Sequence, residues 1–213
     1  MAITAKLVKD LRDRTGAGMM DCKKALADAD GDLAEAEKLL RKQDKVKAAK
    51  SAGRKANQGL VHAYIHAGSR LGVLVEVNCE TDFAAASEEF HALVKDLAMH
   101  IAASGPRYIS RDDVTESVLD EEREIYRAQV EAMGKPANVI DKIVEGKMKS
   151  FFSEACLLDQ PFVREPQVTM GERIERAIGK IKENIQVRRF VRFRLGEEQV
   201  EHAEAKPAAP AAE

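Results

Sequence analysis

The chain has 213 residues, 45% of them hydrophobic and 33% charged, enough for one large domain or two small ones with a soluble, helix-rich surface. A net charge of −2 supplies no global field for nucleic acid or an acidic membrane, and three widely spaced cysteines (Cys22, Cys79, Cys156) form neither a disulfide framework nor a CxxC metal site. The opening MAITAKLVKD lacks the apolar core of a signal peptide and no apolar run approaches a membrane span, so a cytoplasmic location is expected.

In chain order, residues 1–52 read as a module of three short helices. Thr4 can cap a first helix with Leu7, Val8 and Leu11 on one face. Gly16 and Gly18 break it, and Met19 to Ala29 makes a second. Asp32 with Glu35 has the spacing of a capping box and opens a third helix through Leu33, Ala36, Leu39 and Leu40. Such a bundle is ubiquitin-associated-like and too small to be more than marginally stable alone. Residues 53–59 are polar and aperiodic and read as a linker.

Residues 60–113 form the start of a core. Leu60 to Cys79 reads as a β-hairpin turning at Ala67-Gly68-Ser69-Arg70, with Val73, Val75, Val77 and Cys79 alternating onto one face. From Ser87 a helix follows in which Phe90, Leu93, Val94, Leu97, Ala98 and Ile101 make a stripe that should cover one face of the sheet, until Gly105-Pro106 ends it. Between strand and helix, Asp82 and Phe83 stand on a corner. A corner of this kind can project side chains from a rigid base, although an isolated Phe more often tucks under its own helix.

Residues 114–158 hold two amphipathic stretches around Gly134-Lys135-Pro136. The first carries Leu119, Ile125, Tyr126, Val130 and Met133; the second carries Ile140, Ile143, Val144, Met148, Phe151, Phe152 and Ala155. An antiparallel, coiled-coil-like helical hairpin is expected. In residues 159–196, Thr169 with Glu172 is a capping box before a helix through Ile174, Ile178 and Ile181. Ile185, Val187, Val191, Phe193 and Leu195 then alternate as a last strand, interrupted at Arg189, and their polar face would present Arg188, Phe190, Arg192 and Arg194. Residues 197–213 are rich in Ala, Glu and Pro and are expected to be disordered. The fold class is therefore α+β: the three-helix module, a small antiparallel three-stranded sheet packed with helices, and the helical hairpin.

No GxxxxGK(S/T) loop and no GxGxxG after a strand occurs, so the chain should not bind a nucleotide itself, and no cofactor is expected. The five histidines do not group with cysteines at metal-ligand spacing, and no nucleophile–base constellation is evident. Glu88-Glu89 and Glu121-Glu122 read as solvated helix faces. The arginine–aromatic alternation at 188–194 could be an RNA platform, but the balanced charge of the chain favours an edge strand whose charges deter aggregation, so no nucleic-acid partner is expected.

Five separate stretches (LRDRTGAGMMDCKKAL at 11–26, NCETDF at 78–83, IVEGKMKS at 143–150, DQPFV at 159–163 and RRFVRF at 188–193) occur in the order found in translation elongation factor Ts. The chain resembles that family up to about Gly196. The resemblance implies a guanine-nucleotide exchange factor for elongation factor Tu, active without covalent chemistry and so not an enzyme in the bond-making sense. It implies that Thr81, Asp82, Phe83 and Ala84 form the intruding corner that disturbs the partner's magnesium and phosphate site.

The same resemblance makes Met19, Met20 and Lys23 a secondary contact of the N-terminal module, against a plain reading of both methionines as core filler, with at least one of the two expected in the core. His100, at the border of the apolar stripe, is either a buried structural histidine or, by resemblance through LAMHIAAS, a partner contact. Two departures matter. Ala84 stands where the family pattern TDFVA has valine, and the second core subdomain of long family members is absent. A single small sheet leaves an edge and a face uncovered, which implies a homodimer through the core. The competing reading is a ubiquitin-associated-type adaptor that binds a partner protein without promoting exchange.

Overall fold

Helix boundaries follow the capping residues. The structure is a computed structural model that describes residues 3–197; the tail expected to be disordered lies, from 198 on, outside the described residues. Thr4 accepts the Leu7 amide and opens α1 (Ala5–Thr15), which Gly16 closes with a left-handed φ of 67°. Helix α2 spans Met19–Asp28, and Asp32 accepts the amides of Ala34 and Glu35 to start α3 (Leu33–Ser51). Val8, Leu11, Cys22, Ala25, Leu26, Ala36 and Leu40 close a small core among the three helices.

Helix α3 runs past this bundle. Its C-terminal half packs on α8 (Met170–Ile181), with Ala48 against the main core. Gly179 permits the approach, because a Cβ there would collide with the Asp44 carboxylate. The third helix thus belongs to both units.

The first core strand, β1 (Gln58–Ile65), begins inside the stretch read as a linker and pairs with β2 (Leu71–Cys79) as the expected hairpin. The last strand, β5 (Gln186–Arg194), pairs antiparallel with β2, so the sheet order is β1-β2-β5. Val73, Val75, Val77 and Cys79 are buried against α5 (Glu88–Ser104), where Phe90, Leu93, Val94, Leu97, Ala98 and Ile101 are all buried as the stripe requires. Burial of each large apolar side chain stabilises the fold by about 1.5–3 kcal/mol. Asp96 of α5 is also buried, and accepts from Arg164 at 2.9 Å and Arg173 at 3.0 Å. Charge partners of this kind make its burial tolerable.

Strand β5 departs from its sequence reading. Glu76 opposes Arg189 while Val77 opposes Val187, so Arg188 is an extra residue, a β-bulge. Alternation carries on from Ile185 and Val187 into the core, but after the bulge every side chain changes face. Phe190 and Arg192 turn inward, half-buried, and Val191, Phe193 and Leu195 turn outward and are exposed. Arg192 donates to the Ala102 carbonyl, and Arg189 pairs with Glu76 at 2.7 Å. The interleaved arginine–aromatic face does not form.

Helices α6 (Glu116–Ala132) and α7 (Ala137–Ala155) make the helical hairpin, about 26 and 29 Å long at 1.5 Å per residue. Leu119, Val130, Ile140, Val144, Met148, Phe151 and Ala155 fill the seam, and Lys147 reaches back to Gln129 at 3.1 Å. The chain returns to the core through β3 (Pro161–Phe162) and β4 (Glu165–Thr169), and Thr169 and Glu172 complete the capping box of α8.

His100 sits at this return. Its Nε2 lies 2.9 Å from Gln160 Oε1, and Val163 N–H donates to Nδ1 at 3.4 Å, a pairing that suits the neutral imidazole protonated on Nε2. Burial lowers its pKa from the ordinary 6.5, and the Gln160 bond offsets only part of that. As pH drops below about 6.5, the unfolded chain takes up a proton that the folded chain resists, so stability present above that pH is lost, by at most about 1.4 kcal/mol per unit. Urea denaturation at pH 7.5, 6.5 and 5.5 should show this decline, and His100→Gln should flatten it; an unchanged slope in the variant would assign the titration elsewhere.

Candidate functional site

The corner after β2 is built from the backbone outward. Thr81 is the N-cap of α4 (Asp82–Ala85), a single helical turn, and its Oγ1 accepts the Ala84 amide at 3.2 Å. Ser87 caps the following α5 through the Phe90 amide and donates to the Ala84 carbonyl at 2.7 Å. Ala84 and Ala85 face the core and are buried, which fixes the turn from beneath. Ala84 therefore fills the family's valine position with an inward, smaller side chain.

Asp82 and Phe83 point away from that base. Phe83 is 84% exposed, the most exposed of the large hydrophobic residues among those described. It does not tuck under its helix. Asp82 is exposed, and its Oδ1 accepts the Phe83 amide at 2.9 Å. An aromatic ring held in water beside a carboxylate forfeits burial energy that a partner's apolar pocket would supply.

Three segments converge beneath the corner. Glu183, between α8 and β5, accepts from Glu80 N–H at 3.1 Å, from Thr81 N–H at 3.0 Å and from the Thr81 hydroxyl at 2.7 Å. Glu80 in turn accepts the Asn184 amide at 2.6 Å and pairs with Arg54 at 3.2 Å. The Asn184 side chain donates to the carbonyls of Ala52 and Arg54.

Sequence reasoning missed Glu183. No local signal in the sequence marks it: only the register beyond the bulge, Val77 opposite Val187 and Asn78 opposite Gln186, brings the exit of β2 beside Glu183.

The second candidate patch lies on α2. Met19 is 46% and Met20 73% exposed, and Lys23 is exposed one turn on, while Cys22 between them is buried. Neither methionine is core filler. The patch and the corner sit on separate hydrophobic clusters, linked through Lys180, which lies against Gly16 and pairs with Glu89 at 3.1 Å. His100 is not brought to either patch. Of its two readings the structure has the buried, hydrogen-bonded one, in which the imidazole ties α5 to the 160–163 segment.

Among the described residues, no group of three or more His, Cys, Asp or Glu is placed to hold a metal ion, and no helix is long and apolar enough to cross a membrane.

Comparison with known proteins agrees with the residues. The family model described as "Elongation factor TS" matches residues 32–197. Elongation factor Ts of Carboxydothermus hydrogenoformans is 55% identical over 195 residues, covering 92% of this chain and 90% of the relative. That of Thermoanaerobacter sp. (strain X514) is 56% identical, with 92% and 96% covered, and that of Fervidobacterium nodosum is 53% identical over 197 residues, which span all of the relative. With the corner, the bulged strand and the helical hairpin all inside the matched residues, the chain belongs to the elongation factor Ts family.

Proposed function

We propose that this chain binds the GTPase elongation factor Tu in the cytoplasm and promotes release of its GDP during translation elongation. The carrying observation is the Asp82–Phe83 corner, an exposed aromatic and acid on a turn fixed by buried alanines and by Glu183. An adaptor that merely holds a partner has no use for such a corner, so the exchange reading is preferred to it.

The chemistry is a negative coupling between two ligands of the GTPase. Factor and nucleotide each bind, but binding together is weaker than the sum, and the effect is reciprocal. Phe83 gains about 1.5–3 kcal/mol by entering an apolar site that opens in the nucleotide-free GTPase. Asp82 repels phosphate or competes for the hydrogen bonds that steady the magnesium ligands, and no bond is made or broken. Each 1.4 kcal/mol or so removed from the release barrier speeds release about tenfold. The exposed Met19, Met20 and Lys23 give an adaptable second contact that supplies affinity.

The factor acts as a homodimer through the outer face of its sheet. Cross-strand rows there read Ile65–Gly72–Phe193, Ala63–Leu74–Val191 and Val61–Glu76–Arg189, with Val61, Ile65, Leu74, Val191 and Phe193 exposed. So apolar a face suits a second sheet packed about 10 Å away, as in a β-sandwich. The two-fold contact would be isologous, leaving a corner free on each chain.

Two outcomes are expected. Phe83→Ala should lose at least about tenfold in stimulated GDP release, read by stopped-flow fluorescence, with its thermal midpoint unchanged because the ring makes no core contact; a variant that unfolds would place Phe83 in the core. In sedimentation equilibrium the free protein should show twice the 23.5 kDa chain mass, and Phe193→Glu should reduce it to one chain with helix content intact. A monomeric parent protein would refute the dimer.

A further inference from the structure

We propose that Glu183 is a positioning residue for exchange: its carboxylate fixes the backbone from which Asp82 and Phe83 act. The proposal rests on the exchange reading above and assigns the tip's geometry to a residue outside it.

Phe83 is 84% exposed, so no packing orients its ring, and the backbone alone sets the point and the Cα–Cβ direction from which it projects. That backbone is one helical turn, too short to hold itself, because a first turn fixes several dihedrals for one hydrogen bond. Three donors at its entrance (the amides of Glu80 and Thr81 and the Thr81 hydroxyl) all meet one carboxylate. The Thr81 hydroxyl relays the hold, since the same oxygen accepts the Ala84 amide on the far side of Phe83. Glu183 is aimed there by Lys182, whose φ of 66° is left-handed, a conformation that side-chain-bearing residues rarely adopt and that the neighbouring contacts must sustain.

Contacts other than this carboxylate also join the segments around the corner. Asn184 binds the 52–54 segment through its side chain and Glu80 through its amide, Ile185 is buried, and the β2–β5 ladder starts at Asn78–Gln186. Removing Glu183 loosens the entrance of the corner, which the buried Ala84 and Ala85 then hold from one side only, and leaves its surroundings joined. Each 1.4 kcal/mol or so by which a loosened tip acts less on the release barrier slows release about tenfold, so the loss should appear in the rate rather than in affinity.

The test is stopped-flow release of a fluorescent GDP from elongation factor Tu over a range of factor concentrations. This separates the rate at saturation from the concentration giving half of it. Glu183→Ala should lower the saturating rate at least about tenfold and shift the half-saturating concentration by no more than about twofold. Glu183→Gln should keep most of the rate, because its amide oxygen can accept from both backbone N–H groups while its amino group donates to Thr81 Oγ1. A residue needed only for folding would lower the thermal midpoint of Glu183→Ala without changing the saturating rate of the folded protein.

A parent-like saturating rate for Glu183→Ala, a loss confined to half-saturation, or a Gln variant as slow as the Ala variant would each overturn the proposal. Should Glu183→Ala not fold, Glu183→Asp, one methylene too short to span the three donors, is judged by the same criteria. Release that the parent protein accelerates and Glu183 does not affect would remove the positioning role alone. No acceleration by the parent would remove the exchange reading and this role with it.

Discussion

The antiparallel pairing of β2 with β5 is the contact on which the rest depends. It joins strands about a hundred residues apart in the chain and closes a loop that contains α5, the helical hairpin and α8. Closing so long a loop costs entropy, although the cost grows only slowly with length, and burial of the sheet against α5 must offset it. Once the register is set, the turn after α8 lies beside the exit of β2, and the linker carbonyls at 52 and 54 fall within reach of Asn184. The geometry of the corner is a consequence of strand register.

Its energetic logic is that of a rigid base with an unsatisfied tip. Ala84 and Ala85 give up side-chain bulk to lie flat on the core, and Thr81 and Ser87 each satisfy an amide in the first turn of the helix that they open. Against that order, Phe83 stays in water at a cost that folding does not recover. A preorganised tip loses little freedom on meeting its partner, so more of its burial energy remains to act on the partner's conformation. The outer sheet face shows the same pattern of unspent apolar surface on a larger scale.

Much of the fold was legible because its signals are local or periodic. The caps at Thr4, Asp32 and Thr169, the helix start at Ser87, the alternation from Val73 to Cys79 and the stripe from Phe90 to Ile101 each follow from neighbouring residues. What escaped was non-local. Nothing in RRFVRF marks Arg188 as an inserted residue, yet the bulge exchanges the two faces of every residue after it. The packing of α3 on α8 brings Asp44 against Gly179, more than a hundred residues away. At the site, the family motif pointed to Asp82 and Phe83, and the structure showed an exposed ring. His100 was read as a possible contact because its place at the stripe's border does not reveal that Gln160 and Val163 enclose it.

The most direct measurement is the affinity of this protein for elongation factor Tu, by calorimetry, with the GTPase nucleotide-free and with GDP at saturation. Negative coupling predicts that GDP weakens factor binding by the same factor as the factor weakens GDP binding, as reciprocity demands. Equal affinity for the two forms would contradict it, since a ligand that does not distinguish two states cannot shift the balance between them.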